Sequence, residues 1–182
     1  MKRILLIVLG IAKWFAADAQ EPLVDRNTRI SFFSAAPIEN IAASSSQAFS
    51  AIDSKKNTVY FKVPIKSFQF KKALMQEHFN ENYLESDKYP YAEFSGQLVA
   101  DSNWTKAGAH TVTVQGTLSL HGISHPYKVS AVITAGPESI QATCSFKVKL
   151  EDHKIERPRL VFQNIAEIID VKVSALYKTS GK

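Results

Sequence analysis

The chain has 182 residues, 45% of them hydrophobic, and 22 Lys and Arg against 17 Asp and Glu give it a formal charge of +5 at pH 7. The excess is mild and the lysines are scattered (Lys55, Lys56, Lys71, Lys72, Lys147, Lys149), so no basic tract marks a nucleic-acid partner. A single cysteine, Cys144, excludes an internal disulfide and leaves stability to a hydrophobic core, which a chain of this length can bury.

Lys2 and Arg3 precede an apolar run over residues 4–12, and Ala17-Asp18-Ala19 supplies a small-x-small triplet. This pattern predicts a signal peptide over residues 1–19, cleaved after Ala19. Lys13 interrupts the run, which is far shorter than the ~20 apolar residues of a membrane-spanning helix. No cysteine stands near the cleavage point to carry a lipid anchor. The expected mature chain, residues 20–182, is one domain in a periplasmic or extracellular space and does not span a membrane. Cleavage takes away Lys2, Arg3, Lys13 and Asp18 and lowers the formal charge from +5 to +3.

From residue 29 onward the pattern has a period of two. Residues 29–34, 38–44 and 47–53 read as short strands separated by Pro37 and the Ser44-Ser45-Ser46 run. A turn at residues 54–57 leads to a strand over 58–65 with Val59, Phe61, Val63 and Ile65 on one face. Residues 68–94 contain the only long stretch that does not alternate. Leu74, Met75, His78 and Phe79 fall one turn apart, with Phe70 before and Tyr83 after, which predicts one short amphipathic helix acting as a flap over the apolar interior of a β structure. Tyr89-Pro90 ends it, because proline lacks the N–H donor and pushes its predecessor out of the helical region.

Alternation returns at residues 91–101, with Ala92, Phe94, Gly96 and Leu98 on one side, and is cleanest in two later strands. Over residues 110–120, Val112, Val114, Gly116, Leu118 and Leu120 share a face. Over 140–150, Ile140, Ala142, Cys144, Phe146, Val148 and Leu150 do the same. Residues 126–134 and 165–177 add two more strands. One dry and one wet face is the mark of antiparallel sheet, and about eight such strands with one helix predict an all-β antiparallel barrel or sandwich. A barrel is favoured because closure removes exposed edges.

Four segments carry a family resemblance: RISFFSAAPIENIAASSSQAF, MQEHFNENYLESDKYPYAEFSG, VQGTLSLHGISHPYKVSAVI and FKVKLEDHKIERP. Together they resemble the polyisoprenoid-binding YceI-like family over about residues 29–177, most tellingly in Tyr89-Pro90 followed by Glu93-Phe94 and in Gly116-x-Leu118-x-Leu120-His121-Gly122. The stretch 101–110 is shorter than in many members. The resemblance implies an extended eight-stranded, lipocalin-like antiparallel barrel with one short helix covering one end. It implies a carrier that binds a long-chain isoprenoid or fatty-acyl lipid, with no catalysis, no cofactor and no metal. Phe70, Met75, Phe79, Phe94, Val114, Leu118, Phe146 and Val148 are the residues expected to contact that ligand, with a polar headgroup at the mouth near Lys71 and Lys72. The oligomeric state stays open, a homodimer included.

Two alternatives compete. A barrel of eight strands is narrow enough to be filled by its own side chains, and a filled barrel would act through its surface as an interaction or stress-response module, using the polar stretches 103–109 and 151–159. A metal-dependent enzyme would draw on His121 and His125, four residues apart; Gly122 and Pro126 place that pair in a turn, where a shared helical face is unavailable. Cys144, on the apolar face of its strand, reads as a small packed hydrophobe.

Overall fold

The computed structural model describes residues 21–35, 40–99, 103–156 and 166–179. The predicted signal peptide, Pro37, Ile38 and Ile165 lie outside the described residues. In chain order the elements are β1 (Leu23–Ser34), β2 (Ile41–Asp53), β3 (Thr58–Pro64), β4 (Gln69–Phe70), the helix α1 (Ala73–His78), β5 (Tyr91–Val99), β6 (Gly108–Leu120), β7 (Ile123–Ala135), β8 (Ser139–Lys149) and β9 (Ile168–Lys178).

Eight of these strands close a ring in the order β1-β9-β8-β7-β6-β5-β3-β2, and β2 pairs back onto β1. Every pairing is antiparallel. The two-residue β4 adds to the start of β2, Ala43 opposite Phe70 and Ser44 opposite Gln69, and brings the chain to α1 at one end of the barrel. That end is the mouth; the opposite end, where β2, β5, β7 and β9 finish, is the floor.

Alternation sets which side chains face inward. Val112, Ile133 and Val148 are buried while their strand neighbours Thr111, Thr134 and Lys149 are exposed. Gly96 and Gly116 stand directly opposite each other on β5 and β6, and the Phe94 ring lies across both, 2.6 Å from where a Cβ on Gly116 would stand. The β6–β7 hairpin turns on two residues, His121 (φ 52) and Gly122 (φ 73), whose left-handed backbone matches the twist of the flanking strands.

Several local expectations are corrected. The serine run does not break a strand: β2 passes through it, with Ser45 turned inward and its hydroxyl 2.6 Å from that of Ser67. A register shift against β1 between Thr28 and Ile30 absorbs the irregularity. β1 begins at Leu23 rather than residue 29. After a 3₁₀ turn at Ile65–Ser67 and the short β4, the flap winds helically from Ala73, and its final stretch Phe79–Tyr83 is a π turn, with Leu84 N–H donating to the Phe79 carbonyl at 2.9 Å. Leu74 is 60% exposed and faces away from the barrel. His125 is not in a turn: it lies on β7, opposite Leu118.

β7 and β8 pair only between Ala131–Ala135 and Ile140–Cys144. Nearer the mouth the two strands part, and a 3₁₀ turn at Leu150–His153 fills the gap. His153 is fully buried there; its Nδ1–H donates to the Ile123 carbonyl (3.1 Å) and its Nε2 accepts from the Tyr127 hydroxyl (3.0 Å), replacing part of the missing strand ladder. Burial holds the His153 pKa below its ordinary value, so the imidazole is the neutral Nδ1–H tautomer.

Candidate functional site: an apolar cavity through the barrel

The barrel is not filled. A cavity of about 230 Å³ runs its length, from Met75, His78, Phe79 and Tyr83 beneath the helix to Ile52, Val59, Leu98, Ile133 and Tyr177 at the floor. Its walls are the inward faces of the alternating strands, and they are almost wholly aliphatic or aromatic. Phe70, Met75, Phe79, Phe94, Val114, Leu118, Phe146 and Val148 all border it. Ile30, Phe32, Ile65, Phe68, Leu84 and Ile155 border it as well. Ile65 shares the face that alternation gave to Val59, Phe61 and Val63, whereas Phe68, Leu84 and Ile155 lie in the irregular connections at the mouth, where alternation could not nominate them.

Four phenylalanines gather under the flap. Phe79 stacks on Phe32 of β1 (centroids 5.4 Å, 22° between planes) and meets Phe68 at 5.7 Å and Phe70 at 5.0 Å. Helix α1 is six residues long and has no side-chain N-cap. A helix this short is marginal alone, so its position depends on this aromatic contact. Beyond the flap, Glu85 accepts from His121 Nε2 at 2.7 Å and the Tyr89 ring meets the His121 ring edge-on at 4.7 Å, tying the segment after the helix to the β6–β7 turn.

The floor is closed by Trp104. It is 1% exposed, shares a core cluster with Ile52, Val59, Leu98 and Tyr177, and its indole N–H donates to Asn57 Oδ1 at 3.1 Å. The stretch 103–109, expected as a polar loop, thus contributes a plug through one residue.

Ionisable groups at the cavity wall are few and restrained. Lys62 and Glu93, on the paired strands β3 and β5, meet at 2.9 Å, and their hydrogen bond holds the Glu93 carboxyl below its ordinary range. Cys144 borders the cavity as a thiol whose pKa burial pushes up to about 11, which suits a packed hydrophobe and not a nucleophile.

The histidines of the described residues have separate partners. His121 bonds Glu85 and the His153 carbonyl (3.2 Å), while His125 points toward Asp152, 3.9 Å away, and His153 is engaged on both nitrogens. Among the described residues no three His, Cys, Asp or Glu side chains converge on a common point. The described residues also contain no helix long and apolar enough to cross a membrane.

An antiparallel barrel of eight strands, floored at one end and enclosing a continuous apolar cavity beneath a short helix, is a lipocalin-like barrel, whose strand number leaves an interior wide enough for side chains or for one slender ligand. Residues 24–176 match the model of the YceI-like domain, and the chain belongs to that family. Solved structures agree on the fold. A polyisoprenoid-binding domain from Saccharophagus degradans, implicated in plant cell wall breakdown, superposes with a TM-score of 0.75 at 15% identity, covering 87% of this chain and 98% of that one. BcnA from Burkholderia cenocepacia gives 0.70 at 12% identity over 84% and 96%. The YCEI protein of Campylobacter jejuni gives 0.56 at 15% identity over 99% of both chains. No curated protein sequence matches the chain.

Proposed function

We propose that this protein is exported and carries one long-chain isoprenoid or similar amphiphilic lipid in its barrel, without catalysing a reaction. The observation that carries the proposal is the continuous apolar cavity, enclosed by the strand walls and Trp104 and reached past the flap. Each methylene buried there contributes about 0.8 kcal/mol, so a chain running from flap to floor gathers affinity without burying a charge. The polyisoprenoid-binding name of the S. degradans domain, whose fold this chain shares, supports the same ligand class.

In this mechanism the tail lies against Phe94, Val114, Leu118, Phe146 and Val148, and Phe70, Met75 and Phe79 close over it. A charged headgroup stays at the mouth, where Lys71 and Lys72 are exposed ahead of α1. Loosening the Phe32–Phe79 contact frees the flap and opens the route in and out.

The test is Phe79→Asp, compared with wild type after purification from the producing cells and extraction into organic solvent. The variant is expected to emerge folded and without the lipid that accompanies wild type, because a carboxylate at the mouth cannot be desolvated against the tail. Full retention of the lipid would contradict the proposal. His121→Ala is expected to leave the lipid in place. Export is tested on the mature protein, whose first residue is expected to be Gln20.

A further inference from the structure

The base of the flap is fastened to the barrel through one histidine. The π turn at Phe79–Tyr83 ends at Leu84, and the next residue, Glu85, reaches across to the β6–β7 turn. There His121 stands with each ring nitrogen against an oxygen: Nε2 is 2.7 Å from Glu85 Oε2, and Nδ1 is 3.2 Å from the His153 carbonyl. Neither a carboxylate nor a carbonyl has a hydrogen to give. A neutral imidazole carries one N–H and serves only one of them, leaving its lone pair against the other oxygen. The imidazolium donates to both. In that form His121 joins three segments: the end of the flap, the β6–β7 hairpin and the 3₁₀ turn at Leu150–His153.

The ring has little room to turn away. Its side chain is 12% exposed, the Tyr89 ring meets it edge-on at 4.7 Å, and a Cβ on the next residue, Gly122, would stand 2.6 Å from Tyr89. Glu85 and His121 both hold left-handed backbone, at φ 43 and 52, which is uncommon for residues other than glycine.

Charged groups on the elements packed against His121 have other partners or a constant charge. Lys88 lies 4.0 Å from Glu85, and Lys66 pairs with Asp87; lysines and carboxylates keep their charges across the range where histidines titrate. On the 3₁₀ turn, which ends at Lys154, Glu151 pairs with Lys149, and Asp152 faces His125 of β7 at 3.9 Å. His153 acts in the opposite sense to His121. Acid breaks its bond from Tyr127 by placing a proton on Nε2, whereas acid completes both bonds of His121.

We infer that His121 is a proton-operated clamp on the flap: protonated, it holds the flap's base to the barrel, and when the ring gives up its second proton to solvent the flap opens more often. The inference rests on the carrier reading for what passes the flap. It concerns rate, because the contacts between tail and cavity wall are unchanged and so is the lipid held at equilibrium.

The test loads wild type with a long-chain alcohol bearing an uncharged fluorophore and times its transfer to excess phosphatidylcholine vesicles from about pH 5.5 to about pH 8. Release is expected to quicken about fivefold as pH rises, the weight of one partly exposed charge-assisted bond. His121→Asn, which tolerates the left-handed turn, is expected to release fast at every pH. Glu85→Gln is expected to release slowly at every pH, since its amide N–H donates to Nε2 of a neutral ring whose Nδ1–H still reaches the His153 carbonyl. His125→Gln is expected to keep the wild-type dependence. A flat wild-type profile, release that slows as pH rises, Glu85→Gln following the wild-type curve, or loss of the dependence in His125→Gln would each overturn the clamp. Hydrogen exchange at the bonded amides of Ser86, Lys88 and Tyr89 reads the same opening in protein without a guest, and about a fivefold rise beyond the intrinsic pH effect is expected. That rise in a protein that takes up no probe would overturn the carrier proposal alone; its absence would overturn the clamp.

Discussion

Replacing Phe79 with alanine probes how the flap is held over the cavity. Its ring makes three aromatic contacts, with Phe32, Phe68 and Phe70, at 5.0 to 5.7 Å between centroids. Burying a phenylalanine and then truncating it costs about 3–5 kcal/mol in a closed core, and Phe79 is only half-buried, so about 3 kcal/mol is expected. The Phe32 contact is the one that joins the flap to the barrel wall. A double-mutant cycle with Phe32→Ala and Phe79→Ala should return a coupling of about 1 kcal/mol for that stacked pair. Urea unfolding of the four proteins supplies the numbers, provided the slope of each transition is unchanged. Additivity within about 0.3 kcal/mol would refute the idea that this contact pins the flap. Bound lipid should also leave Phe79→Ala faster than wild type, with little change in the rate of entry.

The His153 site gives a pH prediction. Burial holds the folded-state pKa below the ordinary 6.5, so below that pH the unfolded chain takes a proton that the folded protein resists, and stability falls as pH drops from about 6.5 toward the lower folded value. His153→Gln should cost about 2 kcal/mol at pH 7.5 by disturbing the Tyr127 and Ile123 bonds yet lose part of that acid sensitivity; parallel pH profiles of the urea midpoint would contradict it. Gly116→Val should cost more than about 3 kcal/mol or prevent folding, because its Cβ would stand 2.3 Å from the Ser95 carbonyl oxygen, a backbone atom that cannot step aside. A normal melting temperature would refute this. Cys144, its thiol pKa pushed up to about 11, should resist alkylation at pH 8 in the folded protein and react promptly in denaturant, a contrast that a mass-spectrometric time course reads directly.

The architecture was legible wherever side chains alternate cleanly. β6 and β8 announced their inward faces residue by residue, and Phe94, Val114, Leu118, Phe146 and Val148 border the cavity because a period of two decides which side of a barrel wall a residue faces, while Phe70, Met75 and Phe79 border it from the flap segment that the helical spacing marked. Legibility failed where inward positions are polar. In β2 the inward Ser45 and Ser50 are satisfied by Ser67, in the turn after β3, and by Thr28 on the neighbouring β1, partners that no local pattern reveals, and the serine run therefore read as a break. Trp104 carried a faint mark, one large aromatic in a polar stretch, but its place as the floor plug depends on the turn at Asn57 coming beside it. The parting of β7 from β8 and its repair by His153 left no trace in either strand, since both alternate normally through the gap. His125 was misplaced for a related reason: Pro126 argues for a turn, yet on β7 it sits where no β8 partner requires its missing N–H.

The central claim is that the cavity is occupied by a lipid, and the most direct measurement is native mass spectrometry of the protein purified from its producing cells, followed by organic extraction of whatever it carries. The account predicts a discrete prenyl or acyl species at about one per chain, released on extraction and regained when total lipid is added back. A protein that emerges empty, and remains empty after incubation with total lipid, would contradict it.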